Sequence, residues 1–305
     1  MALSAGYNVT NFALDINGKY GGYLSSFTAP TYEVEEIKQA LGPGGETKVM
    51  LGNPKIGEAK FVYNMSQTGE LWTIMESVIK KNCQEFSMAV VLADQNYKGK
   101  RRIDMTGCLV KELAFPKLDA KDGKKHMEMT ITAVCERVDF KPDSNAIQGT
   151  ISKKAKNWLV SNFEPSGMPG GIASNSVINL ELPKFTAKIA EEHTGMMRLP
   201  TRHYSAWEIA GLKTEHSSTG FDAVKDLCVK VIQDGAIDDS EYADWGVMIK
   251  DQTMKKDLCE FTFKFTAPKK FTWAPELKGG QDGMATCSVE WVLEECFVNN
   301  MHKEG

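Results

Sequence analysis

The chain has 305 residues, 42% of them hydrophobic and 25% charged, with a net charge of −4. This describes a globular protein of two domains of ordinary size, roughly 100–200 residues each, and excludes an overall basic surface that would recruit nucleic acid or anionic lipid. No apolar run approaches the roughly 18–20 residues of a membrane span, and MALSAGYNVTNF lacks the basic flank and apolar stretch of a signal peptide, so assembly in the cytoplasm without membrane binding is expected.

Phe12–Ile16 opens the chain as a predicted strand. Gly42-Pro43-Gly44-Gly45-Glu46-Thr47-Lys48 resembles a phosphate loop, but Glu46 and Thr47 intervene before the Lys and the Gly-x-Gly-x-x-Gly order is missing. It predicts a loop between strands. SQTGELWTIMESVIKK, residues 66–81, is either a small phosphate-binding turn or the start of a core helix. Leu71, Ile74, Met75, Val78 and Ile79 recur at spacings of three and four on one helical face, which favours the helix and makes Thr68 its expected cap. A strand then ends in Asp94-Gln95, followed by the basic cluster Lys98, Lys100, Arg101 and Arg102. Exposed hairpin charge is the ordinary reading of that cluster. In stacked subunits it could also meet the acidic Asp234, Asp238, Asp239 and Glu241 of the other half. FPKLDAKDG forms an arm turning at Asp122-Gly123, after which Met127, Met129, Ile131, Ala133 and Cys135 alternate as in a half-buried antiparallel strand.

Residues 146–173 break the periodic patterns with Pro165, Gly167, Pro169, Gly170 and Gly171. They predict a linker between domains 1–145 and 174–305, with a short helix in SKKAKNWLVSNF. Beyond it the landmarks return in the same order. Val177–Leu182 is matched to Phe12–Ile16 as the strand opening its half. Thr219-Gly220 repeats Thr68-Gly69 at an offset of 151, making Thr219 a second expected cap, and Val224, Leu227, Cys228, Val231 and Ile232 repeat the helix stripe at 153. Asp251-Gln252 follows at 157, and the arm APELKGGQDG, with Pro275, Asp282 and Gly283, at 160. Val289, Trp291 and Leu293 again alternate. The pattern predicts a mainly β (α+β) fold of two tandem antiparallel β-barrel or sandwich domains, each with one flanking helix.

The seven cysteines lie mostly in apolar or alternating segments, which suits reduced thiols, and no CxxC or Cys/His cluster suggests zinc. The five histidines show no HExxH spacing, and no GxSxG elbow accompanies them. No catalytic residue, metal ligand or cofactor motif is expected, and hence no enzyme.

The first half resembles the tube proteins of contractile phage tails and related contractile injection systems. The resemblance covers about Asn11 to Phe140: FALDINGKYGGYLSSFTAPTYEVEEIK, the Gly-rich loop before KVMLG, SQTGELWTIMESVI, the hairpin AVVLADQNYKGKRRIDMTGC, and ELAFPKLDAKDGKKHMEMTITAVCERVDF. The second half keeps the cap, helix, Asp-Gln and last hairpin, but lacks the Gly-rich loop and inserts the acidic segment. The resemblance implies a homo-oligomeric ring around a lumen, with sheath and baseplate partners, lumen cargo that would include nucleic acid only as cargo, and release as a particle. Inter-subunit hairpins would lie at Phe115, Pro116, Asp122 and Gly123, and at Pro275, Asp282 and Gly283. Six copies would stack two layers as a hexamer, whereas three would form one pseudo-sixfold ring; the role is an inner tube or a hub ring. A soluble ring-forming carrier of cargo is the alternative.

Overall fold

The computed structural model describes residues 12–22, 24–41, 46–67, 69–94, 98–143, 158–193, 195, 199–233, 235, 242–273 and 285–300. The first half runs β1 (Phe12–Ile16), β2 (Lys19–Gly22), β3 (Leu24–Thr28), β4 (Tyr32–Leu41), β5 (Glu46–Ile56), β6 (Glu58–Asn64), α1 (Glu70–Ile79), β7 (Phe86–Ala93), β8 (Gly99–Ala114), β9 (Lys117–Asp119), β10 (Glu128–Val134) and β11 (Arg137–Pro142). The second runs β12 (Phe163–Ser166), β13 (Val177–Glu181), β14 (Lys184–Glu192), β15 (Thr201–Ala210), β16 (Lys213–Ser217), α2 (Phe221–Cys228), β17 (Ala243–Lys250), β18 (Asp257–Thr272), β19 (Thr286–Val292) and β20 (Glu295–Asn300).

Each half is an antiparallel β domain flanked by one helix. Strands of the first lie in the order β2-β1-β7-β8-β10-β6-β3, with β11 also on β8; those of the second lie as β12-β17-β18-β19-β16-β13, with β20 on β18. Neighbours recur along with order: β1 lies on β7 as β12 lies on β17, and β3 on β6 as β13 on β16. The hairpin β4-β5 stands where β14-β15 stands in the second half. The expected match of Phe12–Ile16 with Val177–Leu182 is therefore displaced by one strand. The counterpart of β1 is β12, inside the span read as linker, where Pro165 fits because β12 lies at a sheet edge and Pro cannot donate to a ladder. Trp158 and Val160 before it are buried; of the expected short helix, residues 158–163 contain none and residues 152–157 lie outside the described residues.

Core faces follow the sequence periods. Leu71, Trp72, Met75, Val78 and Ile79 of α1 are buried, with Trp72 edge-on to Trp158 at 6.2 Å between centroids. On the other helix Val224 and Cys228 are buried, as is Val231 in the wide π turn Val229–Gln233, but Ile232, expected on this face, is 47% exposed. Met127, Met129, Ile131, Ala133 and Cys135 are all buried, as are Val289, Trp291 and Leu293.

The expected cap at Thr219 is not formed. Gly220 holds the N-cap position without a side-chain bond, and Thr219 Oγ1 meets Ser217 Oγ at 2.7 Å instead. Thr68 lies outside the described residues; at α1 the cap is Gly69, also without a side-chain bond. The strand registers explain the failed analogy. Phe61↔Phe27 and Thr214↔Leu180 are corresponding pairs 153 residues apart, the helix faces keep the same 153, and Ser66 rather than Thr68 is therefore the counterpart of Thr219.

Strands β8 and β18 are each 16 residues long and serve two layers. The first parts pair with β7 and β11 or with β17 and β20, and the last with β10 or β19. Each turns the corner at a residue of positive φ, Gly107 at 64° and Phe265 at 53°.

The halves exchange strands. β9 pairs with β13 (Asp119↔Asn179, Leu118↔Leu180), and β14 pairs with β8 (Phe185↔Leu113, Thr186↔Glu112). Phe115 fills the seam, edge-on to Phe185 at 6.4 Å and to Phe261 at 5.1 Å.

Candidate functional site

The ribbon β4-β5 carries Tyr32, Val34, Ile37, Val49, Met50 and Leu51 and pairs with no other strand among the described residues. All six side chains are 40% or more exposed, Leu51 at 75%. Val49, Met50 and Leu51 are consecutive, so apolar side chains stand on both faces of the ribbon, and neither face is covered. An isolated two-stranded ribbon is marginal in water, so such a ribbon fits a structure completed by another surface. At its root Tyr32 Oη donates to Val138 O, and Lys55 pairs with Glu35 on the exposed stem.

The counterpart β14-β15 is docked on the first half. Phe185 is fully buried at its root. Val110 N donates to Tyr204 Oη at 2.7 Å, Arg202 Nη1 donates to Cys135 O at 2.8 Å, and Arg202 N donates to Glu136 Oε1 at 3.0 Å. Lys184 and Glu112 add an ion pair of 2.8 Å. The equivalent landing surface on the second half is an aromatic patch. Trp273 lies 4.5 Å from Phe221 and 5.4 Å from Phe271 between ring centroids, and it is 55% exposed.

The residues singled out in the sequence are scattered over this frame. Phe115 and Pro116 lead into β9 and join the chain to its own second half; the half-buried Asp122 and the exposed Gly123 lie at the turn beyond. Pro275, Asp282 and Gly283 lie outside the described residues, as do Asp234, Asp238, Asp239 and Glu241. Lys100 pairs with Asp94 at 3.4 Å. Arg102 bridges Asp15 at 2.8 Å and Asp104 at 2.5 Å, and Lys141 also reaches Asp104. Partial burial opposes ionisation of Asp104, but the hydrogen bonds from Arg102 and Lys141 hold its carboxyl below the usual range. Lys98 and Arg101 remain on the exposed face of the hairpin.

Sequence reasoning missed a buried polar chain, because Ser176, Thr214, His216 and Trp291 share no motif spacing. Trp291 Nε1 donates to Thr214 Oγ1 at 2.9 Å, Thr214 Oγ1 lies 2.8 Å from His216 Nε2, His216 Nδ1 lies 3.2 Å from Ser176 Oγ, and Ser176 Oγ donates to Ala173 O at 2.7 Å. One direction of donation satisfies every group, with a neutral imidazole protonated at Nδ1. Burial pushes His216 down to about 4, against a small opposing pull from Glu215. Ser176, Thr214 and His216 are all fully buried, so the serine–histidine contact meets no solvent or substrate.

All seven cysteines are free, and Cys108 and Cys135 approach to 3.3 Å between sulfurs; the hydrogen bond to Cys135, then burial, pushes the Cys108 thiol up. Among the described residues no group of three His, Cys, Asp or Glu could hold a metal ion, and no helix is long and apolar enough to cross a membrane.

No protein-family model and no curated protein matches the sequence. Among solved structures, the chain is similar to one from the sheath-tube complex of an extracellular contractile injection system, PVC, in its extended state, at 15% identity and a TM-score of 0.41 over 46% of this chain and 95% of that one. It is also similar to the tube-terminating cap of the anti-feeding prophage, at 12% identity and a TM-score of 0.41 over 47% and 95%. Hcp1 from Flavobacterium johnsoniae is similar at 13% identity and a TM-score of 0.27 over 45% and 95%.

Proposed function

We propose that this chain is a structural, non-enzymatic subunit that assembles with copies of itself into a ring, as part of the inner tube or of a tube-to-baseplate hub in a contractile injection particle. One observation carries the assembly reading: the ribbon β4-β5 exposes six apolar side chains, while its counterpart β14-β15 is covered within the chain. The kind of particle rests on the sequence resemblance of residues 11–140 to tube proteins. On this reading the domains are two diverged copies of one unit, the first ending near residue 145 and the second opening with β12, supported by their matching strand order. The ring is a passive conduit, with sheath and baseplate proteins outside it and cargo within. It is built from six copies in two layers or from three copies in one pseudo-sixfold layer.

Electron microscopy of the purified protein, with mass by light scattering, tests the proposal. Rings with an open lumen are expected, stacked for a tube and single for a hub. A monomer at all concentrations would refute both roles.

A further inference from the structure

Both surfaces of the joint inside the chain, the ribbon β14-β15 and the end of β8, have counterparts elsewhere in the same chain. Corresponding residues follow from strand register. The pairs Phe185↔Ile209 and Tyr32↔Ile56 align the roots of the two ribbons, so Tyr32 stands for Phe185 and Glu33 for Thr186. The pairs Leu113↔Ile131 and Phe271↔Val289, each just after a bulge, align the ends of β8 and β18. Phe271 therefore stands for Leu113, Lys270 for Glu112, Pro268 for Val110 and Trp273 for Phe115.

We infer that the β4-β5 ribbon of one copy docks on the β18 end of the next copy as β14-β15 docks on β8 within the chain, so that copies join head to tail with unlike domains side by side. This deepens the ring reading and rests on it. Carried over to a second copy, the contact Phe185↔Leu113 becomes Tyr32 against Phe271, both aromatic, with the exposed Trp273 in the place of Phe115. Thr186↔Glu112 becomes Glu33 against Lys270, a pair of opposite charge. Within the chain Val110 donates its N–H to Tyr204 Oη. The corresponding residues are Pro268, which has no N–H, and Leu51, which has no hydroxyl and is 75% exposed. Both sides of that contact change from polar to apolar together, as a matched pair would. The free edge agrees as well. Among the described residues β3 ends the first sheet, where its counterpart β13 carries β9.

A joint of this kind uses different surfaces on its two sides, so it closes into a ring or runs on as a fibre. It alternates first and second domains in a single layer. In the two-layer arrangement, like domains would instead stand side by side.

The test mixes two full-length proteins, one carrying Glu33→Cys and the other Lys270→Cys, under mild oxidation, with the unmodified protein as control for the native thiols. A covalent dimer is expected from the mixture and from neither protein alone; a dimer from the Glu33→Cys protein alone means a symmetric contact and overturns the inference. Glu33→Lys is expected to weaken association roughly tenfold and the added change Lys270→Glu to restore it, with thermal unfolding of the dilute protein unchanged as proof of folding. Rings that form with no dimer from the mixture and no effect of Glu33→Lys would refute this joint while leaving the ring reading intact. A persistent monomer would end both.

Discussion

Two ribbons with the same register meet opposite fates in one molecule. β14-β15 lies against β8 with Phe185 buried and Arg202 bonded to Cys135 O, whereas β4-β5 projects with Tyr32 52% exposed. Backbone pattern does not separate them. What differs is the presence of a covering surface within the same chain, which the second ribbon has in the first domain. Apolar side chains covered on one ribbon and bare on the other mark where the two halves differ in exposed surface.

The sharpest way to break this comparison is to truncate the two root aromatics. Phe185→Ala removes a fully buried ring at the seam and is expected to destabilise the folded chain by about 3–5 kcal/mol. Tyr32→Ala, at an exposed ring, is expected to cost under about 1 kcal/mol in the monomer and to act on association instead. Urea unfolding of dilute samples measures the first effect, and sedimentation the second. Equal losses of stability would mean that both ribbons are already docked.

Mild acid acts on the second domain through His216. Burial holds His216 at about 4, against an ordinary 6.5, so the unfolded chain takes up the proton first. Stability held above pH 6.5 is therefore lost as pH falls toward 4, by up to about 3 kcal/mol. Near-ultraviolet circular dichroism, which follows the packing of Trp291 and Trp245, is expected to show this loss. A flat profile over that window would mean the imidazole is not held neutral.

A smaller effect compares the two corner residues. Gly107 has φ 64°, and a Cβ there would lie 2.7 Å from Glu136 Cβ, so Gly107→Ala is expected to cost about 1–3 kcal/mol. Phe265 holds the corresponding corner at φ 53° with its ring 47% exposed, and Phe265→Gly is expected to stabilise by about 1 kcal/mol. Differential scanning calorimetry should show shifts of opposite sign. The smallest change expected is from Lys184→Ala, whose partly exposed pair with Glu112 is worth about 0.2–1 kcal/mol and is weakened by salt.

The sequence showed best what depends on period. Met127 to Cys135 and Val289 to Leu293 alternate with the period of a strand and those positions are buried, though in the first segment Thr132 and Val134 of the opposite face are buried as well. The strands leading to Asp94 and Asp251 also match in register, while Gln95 lies outside the described residues. Val90↔Ile103 and Val247↔Phe261 are corresponding pairs, which sets β7 and β17 at the offset of 157 that relates Asp94 and Asp251. Short motifs misled. Thr68-Gly69 and Thr219-Gly220 look alike but sit two residues out of register, and the cap positions fall to glycines. β12 was hidden because Pro165 and the glycines after it suggest a linker, and only its position at a sheet edge makes that proline acceptable. The ribbon was illegible for a different reason. Apolar residues such as Val49, Met50 and Leu51 say that a strand needs cover, but they do not say whether the covering surface belongs to the same chain. The Ser176–His216–Thr214–Trp291 chain brings together distant positions and leaves no local signal.

Hydrogen–deuterium exchange of the two ribbons, followed across a range of protein concentrations, tests the central claim most directly. Amides of β14-β15 are expected to be protected at every concentration, while those of β4-β5 exchange fast in dilute protein and become protected as the protein assembles. Fast exchange of β4-β5 that persists unchanged in assembled particles would contradict it.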